Sequence, residues 1–84
     1  MFEYLFTFRS LTAAQSARSV LSADGIRAPV GRAPKRMSAN GCGYTLRVSA
    51  RDGIRALHLL KDKGMAYAHL YRAYRSGSME EVRL

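Results

Sequence analysis

Cysteine is nearly absent from this chain: 84 residues carry one, with two histidines, two prolines and no tryptophan. A single cysteine cannot close an internal disulfide, which excludes a disulfide-stapled secreted fold. One cysteine and two histidines also fall short of a structural zinc site unless carboxylates or a second chain complete it. No apolar run approaches the roughly 18 residues of a membrane span. The opening Met1-Phe2-Glu3-Tyr4 carries an acid where a signal peptide has bases. The expectation is a cytoplasmic protein with a reduced thiol and no membrane contact. Acidic residues are scarce too, six against fourteen Lys plus Arg, for a net charge of +8. Glu80 and Glu81 fall near the end, and the other acids sit where caps or turns are expected. That leaves no carboxylate pair for acid–base catalysis. Glycine-rich phosphate motifs are also missing. Gly41-Cys42-Gly43 precedes a strand pattern, whereas a P-loop or dinucleotide turn precedes a helix. With no catalytic set, no metal set and no cofactor motif, a non-enzymatic protein is expected.

What is present is an ordinary globular balance, 48% hydrophobic and 24% charged. The length fits one domain, read as residues 1–75, followed by a C-terminal tail over 76–84 that frays or docks as a loose turn of helix. A domain this small buries only about 60–65% of its unfolded surface, so marginal stability or a partner chain is expected.

The chain reads as one unit repeated. Phe2 to Arg9 is aromatic-rich and alternating, a strand with Tyr4, Phe6 and Phe8 on one face. Ser10 stands at a helix N-cap, Ala13, Ala14, Ala17, Val20 and Leu21 follow at helical spacing, and Gly25 is a left-handed stop. Ile26 to Val30, with Pro29, allows only a brief or edge strand. Then Tyr44 to Val48 alternates as a half-buried strand. Ser49 and Asp52 suggest a capping box. Ile54, Ala56, Leu57, Leu59 and Leu60 form the apolar side of a second helix, and Gly64 ends it. Met65 to Tyr74 reads as the last strand, with Tyr67, His69 and Tyr71 on one face. Ser10 to Gly25 and Ser49 to Gly64 share an offset of 39. The pattern predicts an α+β, ferredoxin-like βαββαβ fold, with helices over about 11–24 and 50–63 on one face of a four-stranded antiparallel sheet. The alternation phases of the first and third strands do not superpose, so the two strand-to-helix joints differ by a residue.

Between the units, Gly31 to Gly43 holds three glycines, one proline, three bases and no acid. Such long loops are more often functional than not. Cys42 lies between Gly41 and Gly43, unshielded by neighbouring side chains, and Arg32, Lys35 and Arg36 favour its thiolate. The opposing reading is a small buried hydrophobe at the mouth of a strand. The residues alone leave the two about even. A base for a cysteine nucleophile is not placed by the sequence. His58 reads as a helix-surface residue and His69 as a sheet-face residue.

The positive charge admits another class, a small basic binding or regulatory module for RNA or an acidic protein. Tyr67, Tyr71 and Tyr74 on a sheet face would stack bases. Against this, Gly43 to Val48 holds one aromatic where the RNA-binding signature wants two or three, and the bases are scattered. An open sheet face showing Tyr, Leu and Phe would instead favour a homodimer, through that face or through edge strands.

From Phe8-Arg9-Ser10 through Gly25-Ile26, then Pro34, Ser38 and Cys42-Gly43, then Leu46-Arg47-Val48, Asp52 and Ala56-Leu57, the chain resembles the selenium/sulfur carrier protein-like domains of bacteria. The resemblance spans about residues 3 to 74. One departure is the stretch from Ser38 to Cys42, one residue longer than the family pattern. The resemblance implies a carrier that holds a persulfide or perselenide on Cys42 and passes it from a protein donor to a protein acceptor. Gly41, Gly43, Ser38, Arg32, Lys35 and Arg36 would be its supporting loop.

Overall fold

In the computed structural model, residues 1–33 and 43–83 are described here. Strand β1 (Phe2–Phe8) leads into helix α1 (Leu11–Ala23). Then come β2 (Val30–Arg32), β3 (Tyr44–Ser49), helix α2 (Gly53–Asp62), β4 (His69–Tyr74) and β5 (Met79–Glu81). The strands form one sheet in the order β2-β3-β1-β4-β5, with every pairing antiparallel. The architecture is α+β with two helices and five strands, so the expected four-stranded sheet is corrected to five. The extra strand comes from the segment expected as a tail. Gly77, at φ +96°, turns the chain, Gly77 N–H donates to Tyr74 O, and Tyr74 N–H donates to Ser78 O. Met79–Glu81 then pairs with Tyr71–Ala73.

Alternation along β1 explains the core. Phe2, Tyr4, Phe6 and Phe8 point one way, and the last three are almost wholly buried. Leu46 and Val48 of β3 and Leu70 of β4 share that face by register. Ala14, Ala17 and Leu21 of α1 and Ala56, Leu57 and Leu60 of α2 close the core from above. Alanines at the α1 contact let the helix lie close to the aromatic sheet. Ile54, expected on the apolar side of α2, is 50% exposed.

Both helices stop as the glycines predict. Gly25 and Gly64 take left-handed φ values of +79° and +67°. Ile26 N–H then donates to Leu21 O at 2.9 Å and Met65 N–H to Leu60 O at 2.8 Å, the same C-terminal closure twice. At the start of α1, Ser10 Oγ accepts from Ala13 N–H at 3.1 Å, as expected. The start of α2 differs. Ser49 stays in β3 opposite Glu3, and Asp52 is the N-cap, without a side-chain cap bond. Two residues separate β1 from α1 and three separate β3 from α2, the one-residue difference that the alternation phases require. Arg55 of α2 spans to Asp24 at the end of α1, Nε to Oδ2 at 3.2 Å, and ties the two helices together.

β2 lies two to four residues later than the brief strand read at Ile26 to Val30. Pro29 cannot donate to a ladder. Its carbonyl accepts from Arg47 N–H at 3.2 Å and leads the chain into Val30. Among the described residues, no helix is long and apolar enough to cross a membrane.

Candidate functional site

β2 and β3 are the arms of a hairpin whose connection is the cysteine-bearing segment. Their ladder runs Val30–Leu46, Gly31–Thr45 and Arg32–Tyr44. It continues one step further, where Ala33 N–H donates to Gly43 O at 3.0 Å. The two feet of the segment are therefore held together. Cys42, Gly41, Ser38, Lys35 and Arg36, together with Pro34, lie outside the described residues. Arg32 and Gly43 are the two expected site residues that the structure places, both at the feet.

Arg32 sits at the sheet edge, exposed, with its guanidinium carbon 5.7 Å from the Tyr44 ring centroid. Register explains the contact, because Arg32 and Tyr44 are directly opposed and share a face. Gly43 is half-buried, has no left-handed φ, and has nothing within 4 Å of where a Cβ would stand. Neither backbone conformation nor crowding requires glycine there. Gly31, in contrast, faces Thr45, whose Oγ1 is 3.3 Å from a built Cβ.

The feet stand at one end of the sheet. Tyr44 pairs with Phe8, the last residue of β1, so the segment leaves beside the β1–α1 joint. A hollow of about 480 Å³ lies at the same end, lined among others by Phe8, Ser10, Tyr67 and His69. His69 pairs with Thr7 across β1 and β4. Its N–H donates to Thr7 Oγ1 at 3.0 Å, and its ring Nδ1 lies 3.0 Å from Glu81 Oε2. That carboxylate belongs to β5, a strand with no local sequence signal, so this partner is not legible from the sequence. His58 is exposed on α2, the surface position expected of it.

The tyrosines do not form one platform. Tyr67 precedes β4 and packs edge-on against Phe6 at 5.3 Å, on the helix side. Tyr74 lies opposite Phe2, ring centroids 5.6 Å apart, also on the helix side. Tyr71 is opposite Leu5 on the other face, its ring 6.0 Å from that of His69. The expected grouping of Tyr67 with His69 and Tyr71 is corrected. Met65 to Ala68 is a connecting segment, because Met65 N–H is used to close α2, so strand alternation begins only at His69. Arg72 points to the helix side as well, over Phe2 and Tyr4 at 5.8 and 5.9 Å, and pairs with Glu80 at 3.0 Å. Its contact with Tyr4, then the Glu80 pair, raises the guanidinium above its ordinary value and keeps it charged.

The face away from the helices is mixed. Leu5, Thr7 and Thr45 are buried in it, and Glu3, Arg47, His69 and Glu81 surround them. It shows no phenylalanine, because Phe2, Phe6 and Phe8 all fall on the even, helix-side positions of β1. Of the Tyr, Leu and Phe expected there, the face holds Tyr71 and the buried Leu5 but no phenylalanine. Among the described residues, no group of three or more His, Cys, Asp or Glu is arranged to hold a metal ion.

No curated protein and no solved structure matches the chain. A family model described as "Putative Se/S carrier protein-like" matches residues 3–72, a span that runs from β1 into β4, carries Cys42 within it and leaves β5 outside. With most of its length matched in this way, the chain belongs to that Se/S carrier protein-like family.

Proposed function

We propose that the protein carries sulfur or selenium on Cys42 and passes it between partner proteins, without itself being an enzyme. The fold belongs to this reading: β1-α1-β2-β3-α2-β4 has the split βαβ order of ferredoxin-like domains, with β5 added at one edge. The observation that carries the reading is the family match across Cys42, the single cysteine of the chain.

The chemistry is thiol–persulfide exchange. The Cys42 thiol first gives its proton to solvent. The thiolate attacks the terminal sulfur of a donor's persulfide, a new S–S bond forms, and the donor's S–S bond breaks with its thiolate as the leaving group. Cys42 then holds the persulfide. An acceptor thiolate attacks that terminal sulfur, and Cys42 leaves as thiolate. Each exchange conserves electrons, so no outside oxidant or reductant is needed. A perselenide moves by the same steps. The hairpin suits the task, because Ala33 and Gly43 close the base of the connection that carries Cys42 in sequence. Arg32 at the foot, with Lys35 and Arg36 beyond it in sequence, supplies positive charge for an anionic persulfide.

The test is alkylation of the native protein. Cys42 is expected to react with iodoacetamide at neutral pH faster than free cysteine does. A thiol that reacts only after denaturation would be a core residue, and the carrier reading would fall. The basic-module reading would then be tested by RNA binding. Salt-sensitive binding that survives Cys42→Ala would support it, although the division of Tyr67, Tyr71 and Tyr74 between two faces already weakens it.

A further inference from the structure

At the sheet end away from the cysteine segment, a hollow of about 660 Å³ opens. Its floor includes Leu5, only 3% exposed although it lies on the face without helices. Ala73 makes the depression. It stands between Glu3 of β1 and Met79 of β5, and its side chain is a single methyl where a longer one would fill the space. The lining also holds three arginines, Arg47, Arg51 and Arg75. Arg47 is balanced by Glu3 at 3.6 Å. Arg51 and Arg75 have no ion-pair partner among the described residues.

We propose that this hollow binds a small organic anion with an apolar body. The volume falls in the usual range of small-molecule sites, about 300–1,000 Å³. The apolar part of the ligand covers the half-buried Ala73 and Met79 above Leu5, which removes apolar surface from water. The anionic group, a phosphate or carboxylate, takes the two unbalanced guanidiniums, whose planar forks suit such groups. An apolar ligand without charge leaves those arginines unused, and an anion without an apolar body leaves the floor wet. The chemistry therefore asks for both in one molecule.

The site is separate from the proposed sulfur chemistry. Phe2 and Tyr74 lie at its end of the sheet, whereas Phe8 and Tyr44 mark the feet of the cysteine segment. Six steps of β1 separate the ends by about 20 Å. Binding here does not require Cys42.

The test uses octyl phosphate and octanol below their aggregation limits, followed by amide chemical-shift changes in the full chain. Octyl phosphate is expected to shift Leu5, Ala73 and Met79 while leaving Ser10 and Tyr67 unmoved. Octanol is expected to bind at least about tenfold more weakly. The double variant Arg51→Gln, Arg75→Gln, both at exposed positions, should lose about tenfold for octyl phosphate. Ala73→Trp should abolish binding, and Cys42→Ser should leave it unchanged. Equal binding of octanol and octyl phosphate, full affinity in the double arginine variant, or shifts spread evenly over the basic surface would each overturn the proposal. If Ala73→Trp does not fold, as amide dispersion would reveal, the arginine variant decides alone.

Discussion

Gly53→Ala drives a methyl group into the ring of Tyr4. A Cβ built at Gly53 stands 1.9 Å from Tyr4 Cδ2, 2.3 Å from Cε2 and 2.7 Å from Cγ. Carbon atoms pack comfortably at about 3.5–4.0 Å, so ring or helix must move by roughly 1.5–2 Å. The ring cannot swing away freely. It is 5% exposed, meets Phe2 edge-on at 5.3 Å and lies under Arg72. Overpacking of this kind costs about 1–3 kcal/mol. Alanine recovers at most about 0.8–1.0 kcal/mol of helix propensity, and less at the first residue of a helix. The net expectation is a loss of about 1–2 kcal/mol. In a domain of this size that lowers Tm by roughly 5–15 °C. Thermal melts followed by far-ultraviolet circular dichroism read this directly. Tyr4→Ala makes room for the methyl, so adding Gly53→Ala to that background should cost clearly less than it does alone. An unchanged or raised Tm in Gly53→Ala, or an equal cost in both backgrounds, would refute the close approach of α2 to the sheet.

Other glycines should behave differently. Gly43→Ala is expected to be neutral or to stabilise by about 0.4–1 kcal/mol in the same melts, since neither φ nor space opposes a side chain. Gly25→Ala, at φ +79°, should cost about 1 kcal/mol, and a neutral result would contradict the left-handed stop. Ser10→Ala removes the cap on Ala13 N–H and should cost about 1 kcal/mol by urea titration, with Ser10→Gly losing only a few tenths. Arg55→Ala should cost under about 1 kcal/mol and less in high salt, because its Asp24 partner is half exposed.

The sequence made the two helices and the central strands readable because each was signalled locally and agreed with the core. Ser10, Gly25 and Gly64 mark ends by backbone chemistry, and the aromatic alternation of Phe2 to Phe8 marks the buried face. β5 was not readable. Met79-Glu80-Glu81 has no strand-like composition, and what holds it lies elsewhere: the Gly77 turn and the partners Arg72 and His69 on β4. The faces of Tyr67 and Ile54 have two local causes. Strand alternation does not run through Met65–Ala68, where the chain is turning. Ile54 lies one residue off the buried stripe of Gly53, Ala56, Leu57 and Leu60, and Gly53 is the position that approaches Tyr4. The contact between Gly53 and Tyr4 joins positions 49 apart and leaves no local mark. At the site, the cysteine and its glycines were legible as a pattern, and so was the basic character of the segment. The hairpin bond that closes its base depends on a register between β2 and β3 that no short window of sequence contains.

Sulfur carriage itself is tested most directly by weighing the intact protein. The full chain is incubated with a cysteine desulfurase and cysteine, separated from the enzyme, and its mass measured before and after reduction. A gain of one sulfur atom, lost on reduction and absent from Cys42→Ser, is the predicted result. A Cys42 that is alkylated readily in the native protein yet gains no sulfur from that donor, and none from a selenium donor in a parallel reaction, would contradict the account.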